Sequence, residues 1–273
     1  MAGSARSGTS WLAEIIALQF RYRLLFEPEH EFQTKEGHLI CDKYLSKESI
    51  TSSQKKYINR VLNNRVDSDW IGQISNRRFK MHLWPFLPKK YIIKFVRCNL
   101  GVSFLNSFYD IPVLFFIRNP YDVVFSQNRV KFSWLYDLTH FKKQEHLTRI
   151  LEHKYSFQWK ELDSFNDIEI LTLRWCIENK VIFDLSPTNQ NNFIVLHYEE
   201  LKADINIYYD LCKTLNIKPL SNIEDVYSKP SSKTHPKSYI RDNDKDSKHE
   251  YDIDTMAIKG ILDRFKVTAY TKN

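Results

Sequence analysis

Glycine is scarce, at 6 of 273 residues, and it serves where a backbone must bend or come close to a ligand. Two of the six, Gly3 and Gly8, fall within the first eight positions. Cysteine is scarcer still. Cys41, Cys98, Cys176 and Cys212 lie far apart with no C-x-x-C spacing, which excludes a zinc ribbon or redox dithiol, calls for no metal, and fits a reducing compartment. No apolar run approaches the roughly 20 residues of a membrane span. The N-terminus also lacks the basic and apolar regions of a signal peptide, so the expectation is a soluble, cytoplasmic chain. Dense basic blocks are absent too. The net charge of +7 favours an anionic ligand without marking a dedicated nucleic-acid binder.

What is present is globular. The chain is 42% hydrophobic and 14% aromatic, with 27% charged residues of mixed sign, which excludes disorder as the general state. The length suits one α/β domain over 1–273. Thr9 to Phe20 is apolar nearly all round and reads as a buried first helix. Leu24 to Glu27 reads as a short strand stopped by Pro28, and Ser46 to Asn64 as an exposed charged helix. Tyr91 to Val96 and Pro112 to Ile117 are apolar β-rich runs separated by Gly101 to Tyr109, long enough for a crossover helix. A helical stretch from about Ile168 to Phe183, a strand at Phe193 to His197 and a helix at Ile205 to Leu215 follow. The chain turns polar over 228–250, where a mobile loop is expected, before a C-terminal helix over 251–266.

Gly3-Ser4-Ala5-Arg6-Ser7-Gly8-Thr9-Ser10 has the two glycines of a phosphate-cradling loop directly before a helix, whose N-terminal amides attract anions. An ordinary glycine turn capping a helix is the plainer reading. A Walker A loop would carry lysine where Thr9 stands, so a nucleoside triphosphatase is disfavoured, and Arg6 supplies the cation instead. Further on, Val113 to Ile117 delivers Arg118-Asn119-Pro120 at its C-terminal end, where open α/β sheets bind ligands. Ser126 lies two helical turns beyond Arg118, so the two side chains can reach a common phosphate; a surface salt bridge is the alternative for Arg118.

With both motifs in place, the chain resembles the sulfotransferases that use 3'-phosphoadenosine 5'-phosphosulfate. Gly3 to Leu12 matches the 5'-phosphosulfate loop, and Ile117-Arg-Asn-Pro-Tyr-Asp-Val-Val-Phe-Ser126 the 3'-phosphate motif. Leu25-Phe26-Glu27-Pro28, Lys94 to Leu100, Trp175 to Asn179 and His197 to Leu201 are similar to segments of the carbohydrate and bacterial branches. The likeness runs from residue 3 to about 235 and fails over 30 to 90. It implies an α/β fold with a single P-loop-like parallel sheet flanked by helices, and transfer of a sulfuryl group to a hydroxyl acceptor, a saccharide. A nucleotide-binding module without turnover and a P-loop-type phosphotransferase are the alternatives. The resemblance puts Arg6, Ser7, Gly8, Thr9, Ser10 and Trp11 around the 5'-phosphosulfate and adenine, Arg118 and Ser126 on the 3'-phosphate, and Tyr198 near the base. Because the Arg-Lys-Gly segment of cytosolic members is missing, Ser231-Ser232-Lys233-Thr234 is expected to substitute on the donor. Sulfuryl transfer needs in-line placement and charge neutralisation, which guanidinium and backbone donors supply without a metal.

Glu27 matches the glutamate of the carbohydrate branch's Phe-Glu-Pro segment and reads as the general base, or as a strand-end carboxylate paired with a cation. Lys94 stands where the family lysine does relative to Arg118, and joins Arg6 and Glu27 as a catalytic candidate. His82 is a rival base read as structural or surface. Arg97 is expected to snorkel past its strand end to solvent. His140, His146 and His153 read as a solvated helix face rather than a metal site. Trp134, Tyr136, Phe141, Tyr155, Phe157 and Trp159 read as core or as sugar-stacking rings. Only Met1 and Ala2 precede Gly3, so the central strand that should feed the loop is expected to be cut short, either because the natural start lies upstream or with a less well anchored loop.

Overall fold

The computed structural model describes residues 1–19, 21–73, 90–185, 192–232 and 248–270, with the backbone alone for 248–251. Along the chain run α1 (Thr9–Ala17), β1 (Tyr22–Phe26), α2 (Ser52–Leu62), β2 (Lys90–Lys94), α3 (Val102–Tyr109), β3 (Val113–Ile117), α4 (Pro120–Val130), α5 (Ser133–Tyr136) and α6 (Thr139–Lys142). Then come α7 (Glu145–Tyr155), α8 (Asp167–Cys176), α9 (Ile182–Leu185), β4 (Phe193–His197), α10 (Tyr198–Ala203), α11 (Ile205–Thr214), α12 (Ile223–Tyr227) and α13 (Lys248–Arg264). The class is α/β, with parallel strands flanked by helices. Two compact units divide the chain: Met1–Ile117 with Asn189–Thr234, and Arg118–Thr188 with His235–Asn273.

The first unit holds all four strands. β1 pairs with β2, Tyr22 against Lys90 through Phe26 against Lys94, and β3 with β4, Val113 against Phe193 through Ile117 against His197; both pairs are parallel. The expected short central strand is a two-residue stub that joins them. The Met1 amine donates to the Ile93 carbonyl (2.8 Å) and the Phe95 N–H to the Met1 carbonyl (2.9 Å). On the other side, the Ala2 N–H donates to Leu114 O (2.8 Å) and the Phe116 N–H to Ala2 O (2.7 Å). The order is therefore β1, β2, stub, β3, β4, and because every strand points the same way, all C-terminal ends share one edge. All five residues of β1 and of β3 are buried, as a parallel sheet covered on both faces requires.

Helix α1 packs on β1 and β2 through Trp11, Leu12, Ile15 and Ile16, and the same apolar cluster takes in Phe116, Leu196, Tyr208 and Tyr227. It ends at Ala17, short of the expected Phe20. Helix α2 begins at Ser52, later than the expected Ser46, because Thr51 sets a capping box: its hydroxyl accepts from the Gln54 N–H (3.2 Å), and Gln54 Oε1 accepts from the Thr51 N–H (2.8 Å).

In the second unit, α4, α8 and α13 pack on one another. Asn119 caps α4, its side chain accepting from the Tyr121 N–H (3.0 Å), with Pro120 at the first position. An Asn166–Glu169 capping box starts α8, which runs on through a π turn, Ile177–Val181, into α9. Arg174 is fully buried on α8. It donates to the carbonyls of Leu135 (2.8 Å), Trp134 (3.1 Å) and Asp137 (2.8 Å) and pairs with Glu178 (2.8 Å), so all three of its guanidinium nitrogens are engaged. Phe141, Tyr155, Phe157 and Trp159 are core residues, while Trp134 and Tyr136 are half-buried. His146 and His153 lie exposed on α7 and His140 half-buried on α6. The last helix begins at Lys248, ahead of the expected residue 251, and most of the expected loop before it lies outside the described residues.

Candidate functional site

The loop from Gly3 to Gly8 leaves the stub at the C-terminal edge of the sheet and enters α1. A Cβ on Gly3 would sit 2.5 Å from the Phe116 carbonyl oxygen, so close packing on β3 admits only glycine. Gly8 has φ +97°, and a Cβ there would meet the Tyr198 ring at 2.6 Å. Arg6 also adopts a left-handed backbone, φ 71°, a conformation that costs a non-glycine residue free energy and clusters at ligand-binding sites. The Ser7 N–H donates to Ser4 O (3.1 Å), closing the turn. Among the described residues no side chain caps the N-terminus of α1, and no acidic residue lies in its first turn, so the positive end of its dipole favours an anion. The Ser7 hydroxyl is buried, 1% exposed, with no hydrogen-bond partner among the described residues. A buried hydroxyl in that condition costs roughly 1–3 kcal/mol.

Behind the loop lies an aromatic group. Tyr198, the first residue of α10, covers Gly8 and stands edge-on to Trp11 at 6.2 Å, while Tyr227 meets Trp11 at 4.8 Å and the Lys202 ammonium lies 4.6 Å over the same indole. Trp11 Nε1 is buried without a partner among the described residues. Trp11 also lines a cavity of about 380 Å³ alongside α1, with Glu14, Ser231 and Ser232 on its wall. The structure places both serines on Glu14. Its carboxylate accepts from Ser231 Oγ (2.7 Å), the Ser232 N–H (2.9 Å) and Ser232 Oγ (3.0 Å), tying the segment after α12 to the second turn of α1. Lys233 and Thr234 fall outside the described residues.

At the ends of β1 and β2 the structure brings Glu27 and Lys94 together. Glu27 follows β1 with φ 44°. Its N–H donates to Lys94 O (2.9 Å), its carbonyl accepts from Trp70 Nε1 (3.3 Å), and its carboxylate pairs with the Lys94 ammonium. The Lys94 side chain is 2% exposed, against 15% for Glu27, and lies 4.3 Å over the Phe26 ring. Glu27 is thus a carboxylate paired with a cation, one of its two sequence readings, and solvent still reaches it at the C-terminal edge of the sheet.

Arg97 corrects its expectation. It does not snorkel to solvent but is 3% exposed, because Asp42 (2.9 and 2.7 Å) and Glu31 (2.7 Å) receive its guanidinium inside the fold. Glu29 was not anticipated at all. It is 1% exposed, and its Oε1 accepts from the consecutive N–H groups of Val96 (2.6 Å) and Arg97 (2.9 Å), bracing the turn that follows Lys94. Burial, and then the negative charge of Glu27, push the Glu29 carboxyl up to about 7. A readable signal was there: Glu27, Glu29 and Glu31 recur at every second position, opposite Lys94 and Arg97.

The second unit carries Arg118 and Ser126. Arg118 follows directly on β3, its carbonyl accepts from Trp175 Nε1 (3.2 Å), and its guanidinium lies 3.3 Å from Asp122. Ser126 is buried on α4. His82 lies outside the described residues. Among the described residues, no three or more His, Cys, Asp or Glu side chains gather as a metal site, and no helix is long and apolar enough to cross a membrane. No family model and no curated protein matches the chain.

Proposed function

We propose that the chain is a sulfotransferase that moves the sulfuryl group of 3'-phosphoadenosine 5'-phosphosulfate to a hydroxyl of an acceptor, a saccharide. One observation carries the reading: a Gly3–Gly8 loop at the C-terminal edge of a parallel sheet, followed by a helix with no side-chain cap and with the Ser7 hydroxyl buried without a partner among the described residues. An anion's oxygens are what those donors lack. The residues fit the donor. Arg6, Ser7, Gly8, Thr9 and Ser10 would hold its 5'-phosphosulfate through backbone N–H groups, hydroxyls and a guanidinium. Trp11 and Tyr198 supply ring surface for the adenine, and the cavity beside Trp11 is walled by Ser231 and Ser232. Arg118 and Ser126 are assigned to the 3'-phosphate by the resemblance alone.

When bound, the donor supplies an activated sulfuryl group on a phosphate leaving group. The chain's own residues do the rest. Arg6, always charged, holds negative charge in place without giving up a proton. Glu27 accepts the proton of the attacking hydroxyl, and Lys94 fixes the orientation of that carboxylate. Titration calorimetry with adenosine 3',5'-bisphosphate, followed by transfer from labelled donor to a glycan panel, tests the reading. Saturable binding together with transfer is the expected result. Binding without transfer to any acceptor would leave a nucleotide-binding module, and Mg-dependent hydrolysis of ATP would establish a phosphotransferase instead.

A further inference from the structure

Helix α1 joins two features that lie far apart in the sequence. Its N-terminus receives the Gly3–Gly8 loop, and its second turn presents Glu14 to Ser231 and Ser232. Gly8 and Glu14 are six residues apart, about 9 Å of helix at the usual rise per residue. Trp11 stands between them and lines the cavity alongside the helix, which Pro230, Ser231 and Ser232 also line. A helix is stiff, so the phosphate loop at one end and the serine contact in the second turn keep a set separation.

The contact uses both oxygens of the carboxylate. Glu14 Oε1 accepts from Ser231 Oγ (2.7 Å) and Ser232 Oγ (3.0 Å), and Oε2 from the Ser232 N–H (2.9 Å). Three donors meeting one side chain call for a group that accepts at both ends, which an ionised carboxylate does. The residues it receives belong to no helix or strand. Helix α12 holds their near end, where Lys202 Nζ donates to Tyr227 O (3.0 Å) and the Lys229 N–H to Val226 O (3.1 Å). Pro230 then follows with no N–H to give, and the Glu14 bonds tie the two serines to α1. Irregular backbone opens at little cost unless side chains hold it, so the place of this cavity wall depends on the Glu14 carboxylate.

The geometry points to Glu14 as a positioning residue: by tying Ser231 and Ser232 to α1 it sets the wall on which the nucleoside part of the donor packs, while the Gly3–Gly8 loop holds the phosphate end. The role toward the nucleoside rests on the sulfotransferase reading; the tie itself does not. The full chain, Glu14→Ala and Glu14→Gln are titrated by calorimetry with adenosine 3',5'-bisphosphate and with inorganic pyrophosphate, which carries no nucleoside. Hydrogen exchange of the peptide containing Ser231 and Ser232 is followed by mass spectrometry. Glu14→Ala should weaken the bisphosphate about three- to tenfold, the scale of a lost hydrogen-bonded contact, leave pyrophosphate as it was, and speed exchange at the Ser232 amide. Glu14→Gln should restore affinity and exchange, because its amide oxygen can take the Ser232 N–H while its NH2 donates to the two hydroxyls, which can turn to accept. No pyrophosphate binding by the full chain, unchanged bisphosphate affinity in Glu14→Ala, equal weakening of both ligands, or a Glu14→Gln that behaves like Glu14→Ala would overturn the role. Should Glu14→Ala fail to fold, Ser231→Ala combined with Ser232→Ala removes two of the three bonds from the other side; it must weaken the bisphosphate and spare pyrophosphate, or the role is lost. A full chain that binds pyrophosphate and not the bisphosphate sinks the sulfotransferase reading and the nucleoside role together, while exchange at Ser232 still decides the tie.

Discussion

Glu27 and Glu29 stand two residues apart at the end of β1 and live in opposite surroundings. Glu27, partly open and paired with Lys94, is the residue whose loss should stop chemistry alone. Glu27→Gln should leave bisphosphate affinity intact and lower turnover by roughly 10² to 10⁴, read in a transfer assay at saturating acceptor; near-normal turnover would leave Glu27 a structural carboxylate. Glu29 makes a different prediction. Its folded-state value is about 7 against 4.5 for the free group, so the fold favours the protonated form. Its contribution is fully present below about pH 4.5 and is lost as pH rises through 7. Glu29→Gln keeps an oxygen for the Val96 and Arg97 N–H groups and cannot ionise. Its stability relative to the parent chain should therefore climb across that window, by a few kcal/mol at most, in urea unfolding midpoints at several pH values. A flat difference would place the Glu29 titration elsewhere. Sequence pointed to Glu27 through its motif and missed Glu29, because a charged side chain in isolation reads as surface. The backbone N–H groups of Val96 and Arg97 receive that carboxylate inside the fold.

At the scale of elements, β2, β3 and β4 were legible as short apolar runs, each within a few residues of its observed bounds. The helix starts were less so, because a start is set by one cap and not by composition. Thr51 with Gln54 begins α2, and Asn166 with Glu169 begins α8; both pairs stood in the sequence at capping-box spacing. The aromatic residues between 133 and 164 could not be sorted into core and surface from sequence, since that depends on which side of α6 and α7 meets a neighbour. The glycine loop was legible as a tight turn leading into a helix, because only glycine fits its two close-packed positions. Gly8→Ala should accordingly cost roughly 1–3 kcal/mol of stability, from the left-handed backbone and the clash with Tyr198. It should also abolish bisphosphate binding, as measured by denaturant unfolding and calorimetry. A stable variant that binds normally would show that the loop does not hold the ligand.

For the whole molecule, the α/β class followed from the alternation of strand-like and helix-like runs, whereas the division into two units did not, because both units are built from separated stretches of chain. The proposed role of Arg118 on the 3'-phosphate is tested by Arg118→Ala. The expected loss is about 1.5 to 3 kcal/mol of affinity for the 3'-phosphorylated nucleotide, with adenosine 5'-phosphosulfate bound as before; equal weakening of both would remove Arg118 from the 3'-phosphate. The stub of Met1 and Ala2 bears on how the protein is handled in the laboratory. These two residues join the two strand pairs, the Met1 carbonyl taking the Phe95 N–H while Ala2 exchanges bonds with Leu114 and Phe116. A version of the chain trimmed to begin at Gly3 loses that seam, so it should part along it first on unfolding and make a poor sample for crystals.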